Sequence, residues 1–311
     1  MLLVRRDIVK KRVLLIVNSH AGKGMIKRYL CDIIDLFVKQ DWHVSIVTTQ
    51  AKGEAAHLAS EAALHYDLLV CSGGDGTLNE VVSGLVKEQR HIPIGYLPAG
   101  TTNDFASSLQ IPKNNLLAAA QQILDGKHFL CDVGHFNDQI FMYVAAFGAF
   151  TEVSYSTPQD FKNNFGRAAY ILEGIKSLTN IMTYRLKVEC GDEVIEGDFI
   201  YGQVSNSTSV GGFQAMSLKD VQLDDGLFEL LLVHRPNNLL DLQTIIAALL
   251  MQDEKSSWLV HRKLSNVKIT CETPLPWTLD GEFGGNHKTM VIDNLPKAVE
   301  FIVSNEEQIS V

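Results

Sequence analysis

The sequence predicts an α/β domain built on a doubly wound parallel sheet, followed by a mostly antiparallel β-sandwich domain. Three observations carry this prediction. Short apolar runs alternate with helical stretches up to about Leu124, and turn-linked strand pairs take over after about Leu130. The length, 311 residues, also exceeds what one hydrophobic core comfortably supports. The boundary is placed near residue 132, giving domains 1–132 and 133–297, with 298–311 free to pack back on the first.

In the first domain the short apolar runs at 13–17, 43–47, 68–71 and 92–97 read as buried parallel strands. Between them, 25–39, 54–64, 78–87 and 114–124 carry the apolar spacing of helices. A βαβα order implies a parallel sheet with its ligand crevice at the carboxyl ends of the strands. In the second domain the turn signals are Asn137-Asp138, Gly191-Asp192, Gly211-Gly212 and Asp225-Gly226. Two helices interrupt the strands, at 164–180 and 237–253. The first is amphipathic through Ile171, Leu172, Ile175 and Leu178.

The formal charge of −9 argues against broad nucleic-acid binding, which depends on many Lys and Arg contacts to phosphate. Arg5, Arg6, Lys10, Lys11 and Arg12 form a local basic cluster suited to an anionic membrane surface, or equally a solvated lead-in to the first strand. The five cysteines are odd in number and widely spaced, as expected of reduced thiols in cytosol, and the ten histidines show no zinc-ligand spacing. The N-terminus lacks the apolar core and cleavage site of a signal peptide. The longest apolar stretches, 140–150 and 239–251, fall short of the ~20 residues that span a bilayer.

The strongest local signal is Ser72-Gly73-Gly74-Asp75-Gly76-Thr77, where a buried strand gives way to a helix. Glycines there allow close backbone approach, and a helix start offers N–H groups and a positive dipole end to phosphate. The spacing is neither the dinucleotide fingerprint, since Asn79 stands where a third glycine belongs, nor a Walker loop, since Gly24 follows Lys23. A second segment, 97–105, also follows a buried strand, so Asp104 is expected to face Asp75 across one crevice. Leu279-Asp280-Gly281-Glu282 supplies a carboxylate suited to deprotonating a hydroxyl, although Asp-Gly in isolation is also a common hairpin turn. Asp224-Asp225-Gly226 offers oxygen ligands to a hard cation, or simply a turn.

Together these motifs resemble the diacylglycerol kinase catalytic family, which includes bacterial soluble lipid kinases. The match comprises N-S-x-A-G-K-G at 18–24, G-G-D-G-T-L-N-E at 73–80, L-P-A-G-T-T-N-D-F-A at 97–106 and L-D-G-E at 279–282. It runs in the family's order over nearly the whole chain. G-G-D-G-T alone would also fit NAD kinases and phosphofructokinases; the L-P-x-G-T-x-N-D partner separates this family from both.

The resemblance implies a first domain of the NAD kinase and phosphofructokinase type, with ATP in the cleft beside a β-sandwich second domain. The implied nucleotide contacts are Asn18, Ser19, His20, Ala21, Gly22, Thr49, Gly74, Asp75, Gly76, Thr77, Leu78, Asn79, Glu80 and Thr101, with Thr48 an equally placed neighbour of Thr49. Asp75 and Asp104 look like the carboxylates that organise magnesium, and Lys23 and Arg28 like basic residues near the phosphates or the lipid headgroup. Glu282 is the favoured proton acceptor, with Asp280 its rival. A structural magnesium is implied at Asp225 with the carbonyls of Gln222 and Leu227.

The activity implied is transfer of the γ-phosphoryl group of ATP to a lipid hydroxyl, diacylglycerol becoming phosphatidic acid, by a cytoplasmic protein peripheral at the inner membrane face. Alternatives are the same chemistry on a sphingoid base, phosphatidylglycerol or a polyprenol. A nucleotide-binding regulator without catalysis would lack one of Asp75, Asp104 and Glu282, and all three are present. An unpaired sheet edge in the second domain could support a homodimer.

Overall fold

The computed structural model describes residues 11–22, 24–149, 182–207 and 221–305. The helix expected at 164–180, the Gly211-Gly212 turn, Lys23 and the cations Arg5, Arg6 and Lys10 lie outside them. Two compact units emerge: one within 11–106, 110–129 and 299–305, the other within 107–109 and 130–298.

The first unit contains four parallel strands, β1 (Arg12–Val17), β2 (His43–Thr48), β3 (Leu68–Gly73) and β4 (Ile94–Pro98), in the order β2-β1-β3-β4. The end of the chain's last strand adds a parallel partner, Phe301 opposite Ile94. Helices α1 (Ile26–Lys39) and α5 (Leu116–Asp125) pack together, as do α2 (Glu54–Ala62) and α3 (Asp75–Lys87); α4 (Asp104–Ser108) is a single short turn.

β1, β3 and β4 are buried almost throughout, which is why they lack polar alternation. β2 departs from the expected buried run: His43, Ile46 and Thr48 are exposed, because β2 ends the strand order with β1 as its neighbour. On α1, Ile26, Ile33 and Phe37 are fully buried; each such side chain contributes about 1.5–3 kcal/mol of transfer free energy. α3 starts at Asp75, three residues before the first apolar position that marks it in sequence, with Gly74 as an extended cap. The α4 segment, read as loop, is too short to show periodicity.

The second unit is strand-rich. It contains β5 (Lys127–Phe136), β6 (Gln139–Phe141), β7 (Val144–Gly148), β8 (Tyr184–Cys190), β9 (Glu193–Ser205), β10 (Phe228–His234), β11 (Leu259–Leu264), β12 (Asn266–Leu279) and most of β13 (Glu282–Val303). The pairings of β9 with β7, β8 and β10 are antiparallel, as are those of β12 with β7, β8 and β13. Long strands β9 and β12 therefore each bridge β7 and β8. Trp277 fills the space they enclose, its ring centroid 5.0 Å from that of Phe136 and 4.9 Å from that of Phe147.

The turn residues match their geometry. Asn137 and Gly191 take positive φ at the β5–β6 and β8–β9 connections. α6 (Leu239–Met251) is set by the Asn238 side chain, which accepts from the N–H groups of Leu240 and Asp241. No helix among the described residues is long and apolar enough to cross a membrane. All five cysteines are free thiols.

Candidate active site

In the first unit the strand order reverses direction between β1 and β3, and a doubly wound sheet opens its crevice at such a reversal. Three loops leave the carboxyl ends of β1, β3 and β4 there and pack main chain on main chain. The N–H groups of Ala99 and Gly100 donate to Gly73 O at 2.8 and 3.1 Å. A Cβ on Gly100 would lie 2.5 Å from Gly74 Cα, and one on Gly22 (φ +54°) 2.5 Å from Ala99 O. Glycine is required at both positions by this close approach.

The first loop, Asn18 to Gly22, is tied to the second through Asn18, whose Nδ2 donates to Thr77 Oγ1 at 3.0 Å while its Oδ1 accepts from His20 N–H at 3.1 Å. Ser19 and Ala21 lie in the same tight turn, closed by Ala21 N–H to Asn18 O at 3.2 Å. At the start of α3 the first intrahelical bond is Leu78 N–H to Gly74 O. The N–H groups of Gly76 and Thr77 thus stand outside the helical ladder, at the positive end of the helix dipole, and can receive an anion.

Asp75 connects the second loop to the third. Its Oδ2 accepts from Asp104 N–H at 3.0 Å and its Oδ1 from Phe105 N–H at 3.3 Å, so this carboxylate caps α4. Asp75 remains half-buried, whereas Asp104 is 4% exposed. The sequence-predicted pair is therefore brought together by a carboxylate-to-main-chain contact.

The remaining predicted contacts spread around these loops. Glu80 Oε2 accepts from Ala55 N–H at 3.3 Å. Asn79 Oδ1 accepts from the Ser83 hydroxyl at 3.2 Å, Thr101 is exposed, and Leu78 is fully buried with its N–H in the helix. Thr49 is buried with its N–H on Val17 O, while the hydroxyl oxygen of exposed Thr48 accepts from Gln50 Nε2. Arg28 is exposed, lying over the Tyr29 ring.

Tyr96, which sequence reasoning missed, and Asn103, quoted there only within the 97–106 motif, organise the third loop. Asn103 takes φ +49° and is 3% exposed. Its Oδ1 accepts from Gly100 N–H (3.0 Å) and Tyr96 OH (3.3 Å), and its Nδ2 donates to Gly100 O (2.9 Å) and Pro98 O (3.3 Å). Tyr96 also reaches Gly73 O at 3.4 Å. Burial first, then the charge of Asp75, holds the Tyr96 hydroxyl well above its usual pKa, so it stays a neutral donor. An Asn, tolerant of the left-handed region, directly before a helix-starting Asp was the available signal for Asn103.

In the second unit Asp280 (φ +49°) and Gly281 (φ +82°) make the two-residue turn between β12 and β13, Leu279 pairing with Glu282. Asp280 is 5% exposed, and its carboxylate accepts from the N–H groups of Met142 (2.7 Å), Tyr143 (3.0 Å) and Val144 (3.1 Å). Glu282 is exposed at the first position of β13.

The loop before β10 is positioned by Asp132, which is fully buried and was not anticipated. It accepts from Gly226 N–H at 2.7 Å, Lys297 N–H at 2.8 Å and Asn294 Nδ2 at 3.3 Å. Asp225 Oδ1 accepts from Leu227 N–H at 2.9 Å, and Gln222 is exposed. Among the described residues no three His, Cys, Asp or Glu side chains gather into a ligand set, so a cation here would draw on main-chain carbonyls and water beside Asp225.

Residues 12–136 match the diacylglycerol kinase catalytic domain. The chain is 33% identical over 276 residues to the diacylglycerol kinase of Bacillus subtilis (strain 168), covering 88% of this chain and 91% of that protein. It is equally 33% identical over 301 residues to the diacylglycerol kinase of Staphylococcus aureus (strain JH9), covering 96% and 94%. A crystal structure of a candidate diacylglycerol kinase from Bacillus anthracis str. Sterne superposes with a TM-score of 0.78 at 25% identity, covering 96% of this chain and 98% of that one. With the three-loop crevice and the four motifs in place, these relationships show that the chain belongs to the diacylglycerol kinase family.

Proposed function

We propose that the protein transfers the γ-phosphoryl group of ATP to a lipid hydroxyl, with diacylglycerol as acceptor and phosphatidic acid as product. The observation that carries this is the convergence of Asn18, the α3 start and the Asp75–Asp104 contact on one strand-end crevice. The family relationship to proteins named diacylglycerol kinase supports the acceptor. The first unit is then a nucleotide domain of the NAD kinase and phosphofructokinase type, and the second a β-sandwich that presents the lipid.

In this reading Gly76 and Thr77 N–H would receive phosphate oxygens, and Asp75, half open beside them, would hold the nucleotide's magnesium together with Asp104. Bound magnesium supplies charge neutralisation for the phosphates. Glu282 takes the proton of the acceptor hydroxyl as its oxygen forms the new bond to the γ-phosphorus and the bond to ADP breaks, leaving phosphatidic acid, ADP and one proton. Asp280 is the weaker candidate, because three N–H groups already occupy its carboxylate. Asp225 with the carbonyls of Gln222 and Leu227 would hold a second magnesium, because all these donors are oxygens and a buried carboxyl, Glu229, shares the neighbouring Lys263 with Asp225. The lipid is met peripherally at the cytoplasmic face, where reducing conditions suit five free thiols.

The test is radiolabelled ATP with the purified full chain, magnesium, and mixed micelles of diacylglycerol, a sphingoid base, phosphatidylglycerol or a polyprenol. Label in phosphatidic acid is expected. Label in another lipid overturns the acceptor, and label in no lipid overturns the activity.

A further inference from the structure

Glu229 is a buried carboxyl that takes no part in the proposed phosphoryl transfer. It sits on β10 at 1% exposure, and among the described residues neither of its carboxylate oxygens has a hydrogen-bond partner. Buried carboxylates are ordinarily bonded or bound to a cation, because water is otherwise the better solvent for them. In register, Glu229 stands opposite Ser205 on β9 and Lys263 on β11.

Lys263 Nζ lies 3.6 Å from Glu229 Oε1 and 4.0 Å from Asp225 Oδ2. Both separations exceed a direct hydrogen bond. Among the described residues the Lys263 ammonium therefore lies between these two carboxylates, beyond hydrogen-bond distance of each. Of the other acids at this loop, Asp132 is committed to Gly226 N–H, Lys297 N–H and the Asn294 amide, and Asp224 is exposed to solvent, so Glu229 is the buried carboxylate left to serve as the second.

We propose that Glu229 is the second, buried carboxylate of the cation site that Asp225 opens, and that Lys263 is the site's resident counter-cation, displaced from Asp225 when a divalent cation binds. The proposal rests on the Asp225 reading above and adds to it a charge and a competitor. Charge balance selects the ligand. Two carboxylates with the lysine withdrawn carry two negative charges, which one divalent ion neutralises, and oxygen-only donors select a hard ion such as magnesium. Lys263 is only partly buried, its side chain 38% exposed, so its ammonium can move into water when the ion arrives.

The test is titration calorimetry of magnesium into the nucleotide-free full chain, with Asp225→Asn defining the heat that belongs to this site. Glu229→Gln, which keeps shape and removes charge, is expected to weaken that binding at least tenfold. Lys263→Met, which keeps the aliphatic stem and removes the competing ammonium, is expected to tighten it at least threefold. The opposite signs matter, because a general folding defect weakens binding in both; if Glu229→Gln does not fold, Lys263→Met decides alone. Should Asp225→Asn abolish a heat that Lys263→Met fails to tighten, or that a folded Glu229→Gln weakens less than tenfold, the proposal falls while the Asp225 site stands. Should the wild-type chain show no heat that Asp225→Asn removes, the Asp225 site itself falls.

Discussion

Asp75 and Asp280 both precede a glycine, and both give their carboxylate oxygens to main-chain N–H groups of a distant segment. Asp280 accepts from three consecutive residues, 142–144, and is 5% exposed. Asp75 accepts from two, Asp104 and Phe105, and stays half-buried beside the start of α3. The difference teaches that Asp-Gly in sequence does not separate a building carboxylate from a working one. What separates them is how much of the carboxylate remains open once the main chain is served.

The largest effect is expected at Asp280. Asp280→Ala strands three buried N–H groups at roughly 1–3 kcal/mol each, for a total on the order of 4 kcal/mol. Urea unfolding with an unchanged midpoint would show that the turn does not depend on this carboxylate and would break the comparison.

Asp75→Asn keeps an acceptor oxygen and should cost only about 1–2 kcal/mol of stability. Turnover should nevertheless fall at least ~100-fold, as when a charge positioned at a reacting phosphate is removed. A variant that loses stability but retains turnover would make Asp75 a second Asp280.

The smallest effect on the fold is expected from Glu282→Gln, at an exposed strand start. It should leave the unfolding midpoint unchanged while lowering turnover by the ~100-fold of lost general-base catalysis, at saturating lipid and with nucleotide affinity preserved. If Glu282→Gln is active and a folded Asp280→Asn is dead, the proton acceptor is Asp280.

Much of the first unit was legible because its signals are local. A continuous apolar run marks a strand covered on both faces, as 13–17 and 68–71 are, and the spacing of Ile26, Ile33 and Phe37 marks a helix face. The exposure of β2 was legible only in part: His43 and Thr48 are polar, but the exposure of Ile46 follows from strand order, which no window of sequence contains. The same limit hid the partners of the site residues. Asp132 looks like any acid between apolar residues, yet it grips Gly226 and Lys297, 94 and 165 residues away. Glycines and acids announced the crevice through their type. Asn103 carried a local signal in its place before a helix-starting Asp, whereas Tyr96, which also holds the third loop, lies in a buried strand like any core aromatic.

The contact from Asp75 to Phe105 has a consequence for how this site can drift. An amide N–H is supplied by every residue except proline, so this half of the link is indifferent to which side chain position 105 encodes. Selection on Phe105 itself then reduces to its packing, edge-on to Phe301 with ring centroids 5.6 Å apart. The bond is written in one codon, that of Asp75, and a neutral change at its partner's side chain leaves the grammar of the loop untouched.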